Sequence, residues 1–248
     1  MAVIEMESLT KFYKKDFSKK KVCALNSLSL KINEGEVFGF LGPNGAGKST
    51  TIKILIDLIR PTSGKVTIGG KKTSDMTVKR MIGYLPENPY FYDHLSAKEL
   101  LKFGGRSCNM DSEAIKERSR ELLEELDLTA AMKRPLRSYS KGMVQRAGLA
   151  LSLIHNPGIL IFDEPMSGLD PMGRIKVFNL ILKLKEEGKT IFFSSHILHD
   201  IERLCDRAAI LINGNLNRLV DVKKDLGRGD TLEKVFMEEV KKTGGIRE

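Results

Sequence analysis

Long apolar runs are missing from this sequence. A helix that crosses a bilayer needs about 20 consecutive apolar residues, and runs such as Ile159–Phe162 and Thr190–Phe193 fall far short of that. The chain therefore builds no helical pore of its own. Cysteine is scarce: Cys23, Cys108 and Cys205 lie far apart, are odd in number and form no CxxC pair. That pattern argues against a disulfide framework and for a reducing compartment. The opening MAVIEMESLT has no basic stretch leading into an apolar one, so no secretory signal is expected. Internal repeats, low-complexity linkers and sustained heptads are also lacking.

What remains is ordinary globular composition. The 248 residues are 41% apolar and 29% charged, enough for one large domain or two small ones with a substantial core. The net charge of +9 suits an anionic partner, whether nucleic acid, nucleotide or membrane surface. The densest basic run, Lys11–Lys21, reads as a solvated hairpin or loop.

Strand and helix patterns alternate along the chain. The segment VIEMESLTKFY and the alternating LSLKI at Leu28–Ile32 read as strands, with a turn at 33–36. Val37–Leu41 is a buried strand that runs into a glycine-rich segment and then a helix from near Lys48. Pro61, Ser63 and Gly64 stop that helix. Lys65–Ile68 and Met81–Leu85 follow as strands. From Ser96 to His155 the pattern is mostly helical, opened by the capping box of Ser96 and Glu99. Gly158–Phe162 and Thr190–Phe193, separated by a helix, form a βαβ pattern and imply a parallel sheet. Asn213-Gly214 marks a two-residue hairpin. A final helix places Leu232, Val235, Phe236 and Val240 on one face.

Two constellations point to nucleotide chemistry. Residues 42–49, Gly42-Pro43-Asn44-Gly45-Ala46-Gly47-Lys48-Ser49, complete the pattern GxxxxGK[ST] between a strand and a helix. Its glycines let successive amides converge on phosphate oxygens, and the helix that follows turns its positive end towards them. Lys48 is then placed for the β- and γ-phosphates and Ser49 for Mg²⁺. The strand Ile159–Phe162 ends in Asp163 and Glu164. Asp163 suits the second group on the Mg²⁺ side, and Glu164 a general base or water-orienting carboxylate.

These motifs indicate an NTPase. The segment Ser140-Lys141-Gly142-Met143-Val144-Gln145-Arg146 narrows the class. With Tyr139 it resembles the signature of the ABC ATPases, usually LSGGQ. Ser140 and Gly142 match; Lys141 and Met143 depart. The resemblance covers nearly the whole chain, with its motifs in the family's order. It implies an α/β P-loop core carrying an antiparallel β subdomain and an inserted α-helical subdomain. The core is expected over 1–87 and 157–215, the helical part over 88–156, and a C-terminal extension over 216–248, all in one ABC ATPase domain.

The resemblance also distributes roles. Catalysis falls to Glu164, His196 and Lys48. Nucleotide contacts fall to Gly42 through Thr50, to Tyr13 by stacking on adenine, and to Glu87, Ser140, Gly142 and Asp170; the metal falls to Ser49, Asp163 and Glu87. Tyr13 also fits a half-buried strand tyrosine, and Ser167-Gly168-Leu169-Asp170 a polar turn before Pro171. Glu87 stands where the family usually has glutamine. That change, the YSKGM variant and the closing TLEKVF resemble the drug- and polymer-exporting branch. The implied cofactors are ATP and Mg²⁺. The implied partners are a second ATPase subunit, as a homodimer when ATP is bound, and a membrane-spanning subunit reached from the cytoplasmic face. The rival is a soluble ABC ATPase acting on nucleic acid or ribosomes. One P-loop and no heptads rank it second. The aromatic run Pro89–Leu95 reads either as core filling or as part of the groove that receives the membrane subunit.

Overall fold

The computed structural model describes residues 1–14, 21–226 and 231–243. The middle of the basic run lies outside them. In chain order the strands and helices are β1 (Ala2–Lys14), β2 (Lys21–Asn33), β3 (Val37–Leu41), α1 (Lys48–Leu55), β4 (Ser63–Ile68), β5 (Lys71–Lys72) and α2 (Met76–Met81). Then come β6 (Ile82–Leu85), α3 (Ala97–Ser107), α4 (Ser112–Glu125), α5 (Lys141–Leu153), β7 (Ile159–Asp163) and α6 (Pro171–Glu186). The chain closes with β8 (Thr190–Ser195), α7 (Leu198–Leu204), β9 (Arg207–Ile212), β10 (Asn215–Asp221), α8 (Val222–Asp225) and α9 (Leu232–Lys242). Two compact units result, one of Met1–Lys79 with Thr190–Glu248, the other of Arg80–Lys189.

The first unit holds an antiparallel sheet in the order β2-β1-β4-β5. Its buried face comes from alternation, but the alternation slips. Ile4 and Met6 point inward, and after a register shift Leu9 takes over. The slip is a bulge at Ser8, with φ +47°, and a second irregularity at Ser27, with φ +53°, falls between the Leu9–Leu28 and Lys11–Leu25 pairs. The Ser8 amide donates to Ser29 Oγ at 2.9 Å, which satisfies a donor the ladder would leave open.

The same unit contains strands in the order β10-β9-β3-β8. β3 runs parallel to both β8 and β9, and every residue of β3 and β8 is buried. Burial on both faces explains why these strands read as continuous apolar runs. Phe38 and Phe192 pair across them with ring centroids 6.1 Å apart. β9 and β10 form the expected hairpin. Asn213 and Gly214 both take positive φ, +50° and +80°, as a type I′ turn requires.

An ion pair to a buried carboxylate fastens this unit. Arg207 Nη2 donates to Glu36 Oε2 at 2.8 Å, and the Asn33 amide donates to the same oxygen at 2.7 Å. The hydrogen bond that Arg207 donates to Glu36 raises the guanidinium pKa above its ordinary value. Arg207→Met is expected to lower unfolding free energy by about 3–5 kcal/mol, because it strands the Glu36 carboxylate in the interior. Denaturant unfolding checks this. The double variant with Glu36→Gln should recover much of the loss, and a single variant as stable as the parent would contradict the reading.

The second unit pairs β6 parallel to β7 and packs α3, α4 and α5 together. Its helix starts are set locally. Ser96 and Glu99 form the capping box, with the Ser96 amide donating to Glu99 Oε2 at 2.8 Å. Asp111 caps α4 by accepting from Glu113 and Ala114. α4 presents Ile115, Leu122 and Leu123 inward, as the spacing predicts.

The mostly helical 96–155 stretch holds three helices, with two short 3₁₀ turns, Thr129–Ala131 and Leu136–Ser138, between α4 and α5. Met81 ends α2 rather than opening β6. α2 buries only Val78, too little apolar periodicity to show in the sequence.

Candidate functional site

The phosphate-loop residues lie at the C-terminal end of β3, in the first unit. Packing demands two of the glycines. A Cβ on Gly42 would collide with the Leu211 carbonyl oxygen, and one on Gly47 would meet the Ala24 carbonyl oxygen. Gly47 also has φ +108°, which side chains rarely adopt. The loop is braced by the Gly214 amide donating to the Ala46 carbonyl at 3.0 Å, so the β9–β10 hairpin turn supports it from behind.

No side chain caps α1, and its first turn has no acidic residue. The positive end of the helix is thereby kept for an anion. Lys48 is buried at 7% exposure, and its Nζ donates to the Gly42 carbonyl at 2.7 Å. Thr51 Oγ1 donates to the Gly47 carbonyl at 3.0 Å, while Ser49 and Thr50 stay half-buried beside the loop.

Two further candidate residues belong to this unit. Tyr13, on β1, is 39% exposed, and Lys11 Nζ stands 5.2 Å from its ring centroid. The ring is open enough to take a stacking partner. His196 is exposed just past β8, after the buried Ser194 and Ser195. Ser195 Oγ accepts from the Ile197 amide at 3.0 Å, which shapes the turn that displays the histidine.

The acidic pair ends β7 in the second unit. Asp163 and Glu164 are 5% and 8% exposed. Glu164 has φ +51°, uncommon for a residue with a side chain and a feature of strained functional positions. Tyr84, on β6, has its pKa pushed up to about 12 by burial and by the charge of Asp163. Gln145, buried in α5, donates to the Pro165 carbonyl at 3.3 Å. It holds the backbone just past Glu164. Helical spacing alone gives Gln145 no role, because a glutamine in a helix has no visible partner until the fold supplies one.

The other candidate residues also lie in this unit. Ser140 caps α5, its Oγ accepting from the Met143 amide at 3.2 Å. Asp170 caps α6, accepting from the Gly173 amide at 2.9 Å, with Pro171 in the first turn. Gly168 has φ +71°, and the Lys141 stem lies against it, joining the signature segment to the Asp170 turn. Glu87 is exposed just after β6.

Known proteins resemble this chain closely. The family model described as ABC transporter matches residues 25–167. An uncharacterised ABC transporter ATP-binding protein of Synechocystis is 47% identical over 240 residues, covering 94% of this chain and 67% of its own length. The linearmycin resistance ATP-binding protein of Bacillus subtilis is 37% identical, covering 88% of this chain and 71% of its own. A solved dimeric ATP-binding cassette in a post-hydrolysis state, bound to ADP and Pi, superposes with a TM-score of 0.80 at 30% identity. That match covers 88% of this chain and 98% of the other. A loop shaped for phosphate, buried acids at a strand end, and relatives of this kind lead to one assignment: the chain belongs to the ABC transporter family, as one of its ATP-binding ATPase cassettes.

Proposed function

We propose that this cassette binds ATP with Mg²⁺, pairs with a second copy, and powers export through a separate membrane-spanning subunit on the cytoplasmic face of the membrane. The observation that carries the nucleotide chemistry is the loop at 42–47, where packing excludes side chains at Gly42 and Gly47 and α1 begins uncapped. Lys48 then neutralises the β- and γ-phosphates. Tyr13 stacks on the base. Glu164 orients or deprotonates the attacking water, and His196 and Glu87 bear on the γ-phosphate end.

The donors present fit Mg²⁺. Ser49 offers a hydroxyl and Asp163 a buried carboxylate, with Glu87 a further carboxylate, all hard oxygen ligands. Among the described residues no three His, Cys, Asp or Glu side chains are grouped to hold a metal alone. That suits an ion bound chiefly by phosphates and water, with one or two protein carboxylates. When bound, it supplies charge neutralisation on the phosphates.

The second copy explains Gly142. Within the chain a Cβ there would touch Gly168 and Leu169 only at ordinary distances of about 3.5 Å. Intrachain packing therefore leaves room for a methyl group. Approach of a phosphate held by a partner cassette would not. Ser140 and Asp170, at the starts of α5 and α6, sit on the same unit to complete such a shared site. The relative named for linearmycin resistance, together with Glu87 and the YSKGM variant, supports export.

No helix among the described residues is long and apolar enough to cross a membrane, and the proposed membrane-spanning subunit supplies the pore. Its docking place is the aromatic segment after Glu87. Tyr90 and Tyr92 are 95% and 69% exposed. Phe91 and Leu95 line a cavity of about 590 Å³ with Phe103 and Leu151. Exposed aromatics beside an apolar recess suit an interface anchor. Co-expression with the membrane subunit tests this. Tyr92→Ala is expected to keep melting temperature and basal ATPase but to lose co-purification or transport. Wild-type association and transport would remove Tyr92 from the interface, and a fall in melting temperature would make it a packing residue.

A further inference from the structure

A groove between α3 and α4 shares no residue with the candidate sites assigned above. We propose that it binds a single small anionic amphiphile, an alkyl chain ending in a carboxylate or phosphate.

The floor comes from one stripe of α4. Ile115, Ser119 and Leu123 recur every four residues and so share a face. Ile115 and Leu123 are 4% and 2% exposed, recessed rather than displayed. Met132 closes the lining from the loop beyond α4. The rim is cationic. Lys98 and Lys102 stand one turn apart on α3, and Lys116 and Arg120 one turn apart on α4, all exposed. No carboxylate lines the groove. Lys116 is shared with Glu113 at 3.0 Å, and Lys102 feels the charge of Glu99. Lys98 and Arg120 have no ion pair among the described residues.

Ser119 is the second, independent sign of a ligand. It is 6% exposed, and its Oγ is buried without a hydrogen-bond partner. A serine inside a helix ordinarily donates back to the carbonyl one turn earlier, and a buried hydroxyl left unpaired is destabilising. Here it lines an apolar recess ringed by positive charge, where a head-group oxygen could accept from it.

Size and shape favour a small molecule over a surface. The cavity is about 410 Å³, within the usual 300–1,000 Å³ of small-molecule sites. A protein lying on a bilayer displays its apolar side chains, whereas these lie beneath the cations. A chain that enters, with its charged end held at the rim, satisfies both features.

The test titrates the full chain with dodecanoate below its micelle concentration and follows the Met132 methyl group by NMR at low ionic strength. A saturable shift at one equivalent is expected, weakening as salt screens the rim. Dodecanol and inorganic phosphate, each supplying half of the ligand, should bind about tenfold or more weakly, as loss of a charge-assisted contact or of the buried chain implies. The double variant Lys98→Glu, Arg120→Glu should also weaken dodecanoate by about tenfold or more, with melting temperature and ATPase unchanged. Ser119→Ala should weaken it by about two- to tenfold. Absence of a saturable shift, equal affinity for dodecanol, or no effect of the charge reversal would overturn the proposal. So would a response to phosphatidylglycerol vesicles alone, which would make this face a membrane contact.

Discussion

Glu164→Gln is expected to lower ATP turnover by about 10²–10⁴-fold while leaving nucleotide binding intact. The change removes a proton acceptor and its charge while keeping the size of the side chain. Glutamine has nearly the same shape, so the buried position at the end of β7 remains filled, and the φ of +51° costs no more than before. The Gln145 bond to the Pro165 carbonyl involves backbone that the substitution leaves alone. Phosphate cradle and metal side are likewise untouched, so ATP should bind and stay bound. The trapped state should appear as an ATP-dependent dimer in light scattering, because hydrolysis is the step that would release the partner. Phosphate release measured beside nucleotide binding checks both halves. Near-normal hydrolysis would remove Glu164 from the catalytic role; loss of binding would mean that it supports the fold instead.

The second large effect belongs to Lys48→Ala. Its ammonium is buried and bonded to the loop's own carbonyls, with Gly42 accepting at 2.7 Å and Pro43 at 3.4 Å. That arrangement holds the charge over the loop before nucleotide arrives. Losing a charge-assisted hydrogen bond to phosphate costs about 1.5–3 kcal/mol, or roughly 10–150-fold in affinity. ATP should lose more than ADP, since the γ-phosphate depends on the same charge. Competition with a fluorescent nucleotide measures the affinities. A melting curve without nucleotide separates a binding defect from a collapsed loop. Wild-type affinity and turnover in a folded Lys48→Ala chain would refute the assignment of 42–49 as the phosphate site.

Much of this chain is legible in its residue order. The P-loop pattern, the apolar strand ending in Asp163 and Glu164, the Ser96–Glu99 capping box and the Asn213-Gly214 turn are local devices. Each works through residues a few positions apart, so spacing along the chain is enough to reveal it. β3 and β8 read as buried strands because burial on both faces leaves an unbroken apolar run. Other features need the fold. The bulge at Ser8 depends on its partner Ser29, 21 residues away. Gln145 gains meaning only from the backbone beyond Glu164, and Arg207 from Glu36, 171 positions earlier. The groove over Ser119 exists because α3 and α4 bring two basic stripes to one rim, which neither helix announces alone. Nucleotide chemistry and the alternation of strands and helices are thus written in the residue order, since both follow from short-range stereochemistry and periodicity. Which polar side chains are buried, what they hold, and which are left without a partner emerge only when the chain is folded, because burial is set by residues distant in the chain.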